Sequence, residues 1–272
     1  MPAHHLTRSS RFPETVRWFH ASVRFPDWAA AERVTTDLVG PRLDVLTAAT
    51  ASRWWFLRKH PHWRIRIGDT DPALATNLFN QLADERIIDS WHQEIYEPEE
   101  HAFGGPTGMT IAHDLFCADS RGVLGYARLD NPPIGRRELS VLLTIALLNA
   151  ARLDRFEHGD VFARIARTRP APADDTSDKL AHLTRQLQAL TITPAADAIT
   201  CSGLSPVCTP WLDAFTDAGR ELGDGARNGE LERGLRAVMT HLVIFHWNRL
   251  GLPAATQGIL ARATTAVYLP ED

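Results

Sequence analysis

The chain has 272 residues, 44% hydrophobic and 23% charged, values that suit a soluble globular protein of one large or two small domains. Lys and Arg number 29 against 33 Asp and Glu, and the formal net charge of -4 argues against nucleic-acid binding by bulk positive charge, though not against a local basic groove. No apolar run approaches the ~20 residues of a membrane span, and Met1 to Ser10 lacks the apolar stretch of a secretory signal.

In chain order, Val16 to Phe25 reads as a strand. Asp27 caps a helix from Trp28 towards Ala49, with a break expected at Gly40-Pro41. Arg53 to Lys59 is an aromatic-rich strand, and Trp63 to Ile67 alternates strictly as its partner. A helix from Pro72 to Arg86 and a strand from Ile87 to Tyr96 follow. The order β-α-β-β-α-β is that of a ferredoxin-like unit, in which two helices cover one face of an antiparallel sheet.

The remainder reads as mainly helical: Thr107 to Asp119, Arg136 to Asp154, Val161 to Ala166, Lys179 to Leu190, Trp211 to Leu222, Glu230 to Leu250 and Ala255 to Ala266. Arg169 to Asp178 reads as an exposed connection and Pro194 to Pro206 as irregular. The expected class is α+β, with a ferredoxin-like part over residues 1–102 packed against a helical part over 103–272 as one compact unit. Cys117, Cys201 and Cys208 are an odd number without CxxC spacing, which reads as free thiols in a reducing cytoplasm.

Three groups of residues could carry chemistry. Arg64 and Arg66 stand two apart on a strand, so both guanidiniums leave one face while Trp63, Ile65 and Ile67 take the other. Adjacent cations repel unless an anion sits near them. That anion is a bound carboxylate or an internal partner such as Glu94 or Glu97, and the remaining alternative is a solvated face. His246 and Arg249, in Phe245-His246-Trp247-Asn248-Arg249, are helical neighbours that end an apolar stripe. They suit a proton acceptor beside an anion holder, or else a buried histidine and a partner of the helix C-terminus. Tyr96-Glu97-Pro98-Glu99 runs into Ala102-Phe103-Gly104-Gly105, where paired glycines let backbone approach a ligand closely. The histidines form no HExxH pattern, His60 and His62 merely flank a proline in a turn, and no GxGxxG, P-loop or GxSxG occurs, so neither metal nor cofactor is implied.

Together these stretches resemble one family. Trp54-Trp55-Phe56-Leu57-Arg58-Lys59 with His62-Trp63-Arg64-Ile65-Arg66 is similar to its W-F-x-R-K … W-R-x-R segment. Tyr96-Glu97-Pro98-Glu99 with Phe103-Gly104-Gly105 is similar to its Y-E-P-E … F-G-G segment, and Ala112-His113-Asp114-Leu115-Phe116 with Asp119-Ser120 to A-H-x-L-F-x-x-D-S. Glu157-His158-Gly159-Asp160-Val161 and Phe245-His246-Trp247-Asn248-Arg249 complete the set. The family is the thiopeptide-type bacteriocin biosynthesis proteins, stand-alone relatives of the C-terminal elimination domain of class I lanthipeptide dehydratases.

The resemblance implies a lyase. A partner dehydratase protein glutamylates Ser or Thr of a ribosomally made precursor peptide, drawing on glutamyl-tRNA. The small subunit removes glutamate by β-elimination to leave dehydroalanine or dehydrobutyrine. On that resemblance His246, Arg64 and Arg66 are the expected catalytic residues, with His246 in proton transfer, and Arg249, Glu97, Tyr96 and Asn248 the substrate-binding ones. The partners are the precursor peptide and the glutamylating protein, with no direct nucleic acid and no membrane; assembly as a homodimer stays open. Full-length nisin-type dehydratases carry arginines in the tyrosine–double-glycine segment, where this chain has residues such as Pro98 and Ala102. Two rival roles are a pyridine synthase, joining two dehydroalanines by a formal [4+2] cycloaddition with leader release, and a non-catalytic leader-peptide-binding subunit.

Overall fold

A computed structural model describes residues 16–169 and 177–269. Its first part holds β1 (Trp18–Arg24), α1 (Ala31–Val34), a π-helical turn (Thr35–Val39), α2 (Gly40–Thr50), β2 (Arg53–Lys59), β3 (His62–Gly68), α3 (Pro72–Asp84) and β4 (Ser90–Glu94). Helices follow: α4 (Glu100–Phe103), α5 (Gly105–Ala127), α6 (Arg136–Ala150), α7 (Arg155–Thr168), α8 (Ser177–Ile192), α9 (Ala195–Cys201), α10 (Ser205–Arg227), α11 (Leu235–Arg249) and α12 (Ala254–Tyr268). The class is α+β, with a small antiparallel sheet and a mostly helical remainder.

The strands lie in the order β2-β3-β1-β4, every neighbouring pair antiparallel. One face carries Phe19, Ala21, Val23, Phe56, Ile65 and Ile67, all buried. Phe19 stacks on Phe79 of α3 at 6.1 Å, so that helix closes this side. The other face carries two cross-strand rows. Trp55, Arg66, His20 and Glu94 lie across β2, β3, β1 and β4, and Leu57, Arg64, Ser22 and His92 form the next row.

The outer edge of β2 is closed by side chains from the helical part. Phe56 N–H donates to Ser120 Oγ at 3.1 Å, and Phe56 C=O accepts from Arg249 Nε at 2.9 Å. A strand edge offers unpaired backbone groups that must find partners when buried. Ser120 of α5 and Arg249 of α11 supply both, fixing the helices to the sheet.

Several boundaries differ from the sequence reading. Gly40-Pro41 does not break the first helix. Pro41 falls in the opening turn of α2, and the π-helical turn just before it absorbs the backbone adjustment. The last strand is only Ser90–Glu94, and residues 95–99 run on outside the ladder. The stretch expected to be irregular contains α9 and the start of α10, because Pro206 sits in the opening turn of α10, where a proline costs no hydrogen bond. Of the connection expected at Arg169 to Asp178, residues 170–176 lie outside the described residues, as does the side chain of Cys201. Cys117 and Cys208 are buried free thiols, and burial pushes both up to about 11. No helix among the described residues is long and apolar enough to cross a membrane.

Candidate functional site

Beside the polar row of the sheet lies a cleft of about 250 Å³, lined by His20, Trp55, Arg64, Arg66, Tyr96 and Glu97 among others, with Phe103 and Phe245 as its apolar wall. Four of the residues singled out in the sequence, Arg64, Arg66, Tyr96 and Glu97, therefore meet here. Strand alternation sends both arginines to this face, and the chain leaving β4 brings Tyr96 and Glu97 across it.

Arg66 is only 5% exposed. Its guanidinium lies 4.3 Å from the ring centre of Trp55 and 4.4 Å from that of Tyr96. Nε and Nη1 are buried without a hydrogen-bond partner. Burial first, and the Arg64 charge second among the opposing influences, pull its pKa down to about 10 from 12.5, against the pull of Tyr96. The rest of the basic run from Arg53 to Arg66 is largely spent internally. Arg53 pairs with Asp114, and Arg58 with Glu32 at 2.5 Å. Among the described residues neither Arg64 nor Arg66 forms an ion pair, so the internal-partner alternative in Glu94 or Glu97 is not taken up. A buried, unpaired cation costs several kcal/mol of desolvation by order of magnitude. A guanidinium packed against two aromatic rings, with donors unused, can receive a carboxylate.

Tyr96 is held in place from behind. Its hydroxyl lies 2.8 Å from His113 Nε2. Burial, then Arg53 and Arg66, depress His113 to about 3, so the ring is neutral and shares one hydrogen bond with the hydroxyl. Burial raises the Tyr96 pKa, so the phenol keeps its proton. His20 also lines the cleft, 3% exposed, with neither ring nitrogen hydrogen-bonded and Nε2 3.6 Å from Glu94 Oε2. Burial and Arg66 lower it to about 4, with Glu94 and the nearby Ile95 backbone opposing. The sequence reading missed His20. The strand alternation of β1 puts it on the same face as Ser22, but only the register with β3 sets it opposite Arg66.

His246, Arg249 and Asn248 do not join the cleft. His246 is 2% exposed and Arg249 fully buried, and both engage Asp119 of α5. His246 Nδ1 is 2.9 Å from Asp119 Oδ1, Arg249 Nη1 donates to Oδ2, and Trp211 Nε1 donates to Oδ1 at 2.8 Å. Burial alone would raise the Asp119 pKa, but His246 and Arg249 outweigh it and hold the carboxyl below its usual range. The arginine reaches the cleft only indirectly: its guanidinium is 5.8 Å from the Trp55 ring centre and bonds the Phe56 carbonyl next door. Asn248 accepts from Gln257 at 2.9 Å and borders a separate cavity with Trp28, Arg58 and Trp63.

Gly104 and Gly105 meet protein rather than a ligand. Both have positive φ, +89° and +86°. A Cβ on Gly105 would sit 2.6 Å from Glu232 Cδ, and Glu232 N–H donates to the Gly104 carbonyl at 3.0 Å. The close approach is to the connection between α10 and α11. Among the described residues no group of three His, Cys, Asp or Glu side chains could hold a metal ion.

A family model for the lantibiotic biosynthesis dehydratase C-terminal region matches residues 18–268. The chain belongs to this family. No curated protein sequence matches it. Solved structures that share the fold include the following three. MibB, a tRNA-dependent lantibiotic dehydratase from Microbispora sp. 107891, aligns at TM-score 0.66 and 19% identity over 92% of this chain. This chain spans 28% of MibB. The crystal structure of TsrL aligns at TM-score 0.66 and 15% identity, covering 93% of this chain and 95% of TsrL. TbtD, the pyridine synthase from thiomuracin biosynthesis, aligns at TM-score 0.60 and 16% identity, covering 93% of this chain and 97% of TbtD. For a dehydratase C-terminal family member, the unpaired arginine in the cleft is the feature that most needs a chemical reason.

Proposed function

We propose that this chain is a lyase that eliminates glutamate from glutamylated Ser or Thr residues of a ribosomally made precursor peptide, leaving dehydroalanine or dehydrobutyrine. The observation that carries this reading is Arg66, buried and unpaired in the cleft with Arg64 beside it. β-Elimination expels a carboxylate, and cations preorganised where that charge develops lower the barrier without reorganising. Arg66 and Arg64 hold the departing glutamate, and Tyr96 and Glu97 border the peptide. His246 and Arg249 act at a distance, fixing with Asp119 the β2 edge that carries Trp55. Asn248 lies too far round the fold for direct contact in this reading. The sheet order with its crossover helices is read as a ferredoxin-like unit, and the partners are the precursor peptide and a separate glutamylating protein in the cytoplasm.

Two substrates test the reading. Incubation with glutamylated peptide is expected to release glutamate, seen by mass spectrometry as loss of one glutamic acid, which leaves the residue one water lighter than the original Ser or Thr. Turnover only of a fully dehydrated peptide, with leader release and a pyridine chromophore, would replace elimination with cycloaddition. Tight peptide binding with no turnover of either substrate would leave a leader-binding subunit.

A further inference from the structure

We infer that His20 is the catalytic base of the cleft, taking the α-proton of the glutamylated residue; this rests on the elimination reading above. The argument begins from position. His20 is paired across the sheet with Arg66 on one side and Glu94 on the other, and it lines the same cleft. The proton acceptor and the carboxylate holder are thus cross-strand neighbours, about 5 Å apart at Cα. A β-elimination needs these two functions a few bonds apart along the substrate.

The other basic groups nearby are committed elsewhere or stand in water. The Tyr96 hydroxyl is engaged by His113, which leaves both of those groups paired. Glu94 is hydrogen-bonded to His92 at 3.0 Å, and Glu97 and Glu99 are exposed. His246 spends Nδ1 on Asp119 and does not line the cleft. Among the described residues only His20 combines burial, a place in the lining and two ring nitrogens without a hydrogen-bond partner. Such a buried polar group without a partner needs a reason to persist.

The step balances as follows. The Cα–H bond breaks and its proton passes to a free ring nitrogen of His20. The bonding pair becomes the Cα=Cβ double bond. The Cβ–O ester bond breaks, and its pair departs on the glutamate carboxylate facing Arg66 and Arg64. The imidazolium so formed faces Glu94 at 3.6 Å and returns its proton to solvent. Arg66, Arg64, Glu94 and Tyr96 are the titratable and charged groups around the ring. The first two disfavour its charged form and Glu94 favours it, and burial holds the free ring neutral near neutral pH. A substrate carboxylate on Arg66 offsets that cation, so the base strengthens when substrate is bound.

The test uses the full-length protein, glutamylated peptide, and the variants His20→Gln and Glu94→Gln. For His20→Gln, kcat is expected to fall by ~100-fold or more while KM is little changed, as for loss of a general base. The acid limb of the kcat/KM profile is expected to vanish. Glu94→Gln keeps the ring but removes the group that favours its charge, so its acid limb should move to lower pH. This second variant reports even if His20→Gln unfolds. Wild-type kcat and an unchanged pH profile in His20→Gln, or an unmoved acid limb in Glu94→Gln, would overturn the assignment with elimination intact. Failure of the wild type to convert glutamylated peptide at all would overturn the elimination reading first, and the assignment with it.

Discussion

Replacing Arg66 by methionine should raise stability while removing activity. The two effects have one origin. The guanidinium is buried without an anion, and burial brings its pKa down to about 10 from 12.5. That difference corresponds to about 3 kcal/mol of strain on the charged form. Its stacking on Trp55 and Tyr96 returns about 1–2 kcal/mol. Methionine fills similar volume without charge, and replacing buried ionic groups by well-packed apolar ones is neutral or stabilising. The expected net gain is about 1–2 kcal/mol, or roughly 2–8 °C in Tm for a chain of this size. Activity moves the other way. Loss of one partner of a desolvated charge pair costs about 2–5 kcal/mol, so kcat/KM on glutamylated peptide should fall between about 30-fold and several thousand-fold. Calorimetry and a turnover assay on the same two preparations decide the matter. A destabilised Arg66→Met that keeps its turnover would show that the residue is a structural hub and the carboxylate argument is wrong.

Further outcomes follow from the buried groups around the cleft. Asp119→Asn leaves the Arg249 charge uncompensated at full burial, and chemical denaturation should show a loss of about 3–5 kcal/mol; a change below about 1 kcal/mol would mean the pair is not what holds the β2 edge. Gly122→Ala would put a Cβ 2.3 Å from the Trp211 ring, whose Nε1 bonds Asp119, so the variant should lose about 1–3 kcal/mol and unfold at lower temperature. Acid should weaken the fold through His20 and His113, whose folded pKa values lie near 4 and 3 against 6.5 in the unfolded chain. The unfolded chain then binds more protons, so the stability these rings lend is complete above 6.5 and drains away as pH falls through 4 and 3, by about 1.4 kcal/mol for each unit of depression. His113→Gln should flatten the Tm against pH curve over that window, and an unaltered slope would contradict the assignment.

The arginine pair was legible because strand alternation is local. Period two places Arg64 and Arg66 opposite Trp63, Ile65 and Ile67 whatever the rest of the chain does. The aromatic platform was legible only as composition. That Trp55 and Tyr96 flank Arg66 depends on the register of β2 on β3 and on the path of residues 95–99, neither of which a single sequence states. His20 shows the same limit. Its partners Arg66 and Glu94 lie 46 and 74 positions away in the chain, and only the pairing of β1 with both β3 and β4 unites them.

His246 and Arg249 mark a different boundary of sequence reasoning. A stripe ending in His and Arg looks the same whether it faces a ligand or a buried carboxylate. Asp119, which decides between these, sits on α5, 127 positions before His246. The double glycine was open to the same ambiguity, and the side that approaches it closely is Glu232. The family itself was legible earlier than any of this geometry, through short ordered segments, and the family model covers them from residue 18 to 268.

The most direct measurement is a crystal structure with a precursor-type peptide carrying a glutamyl group on an amide in place of the ester, which binds but does not eliminate. The account predicts glutamyl carboxylate oxygens within hydrogen-bond distance of Arg66, and the modified residue's α-carbon facing His20. A glutamyl group bound elsewhere, with Arg66 still unpaired, would contradict it.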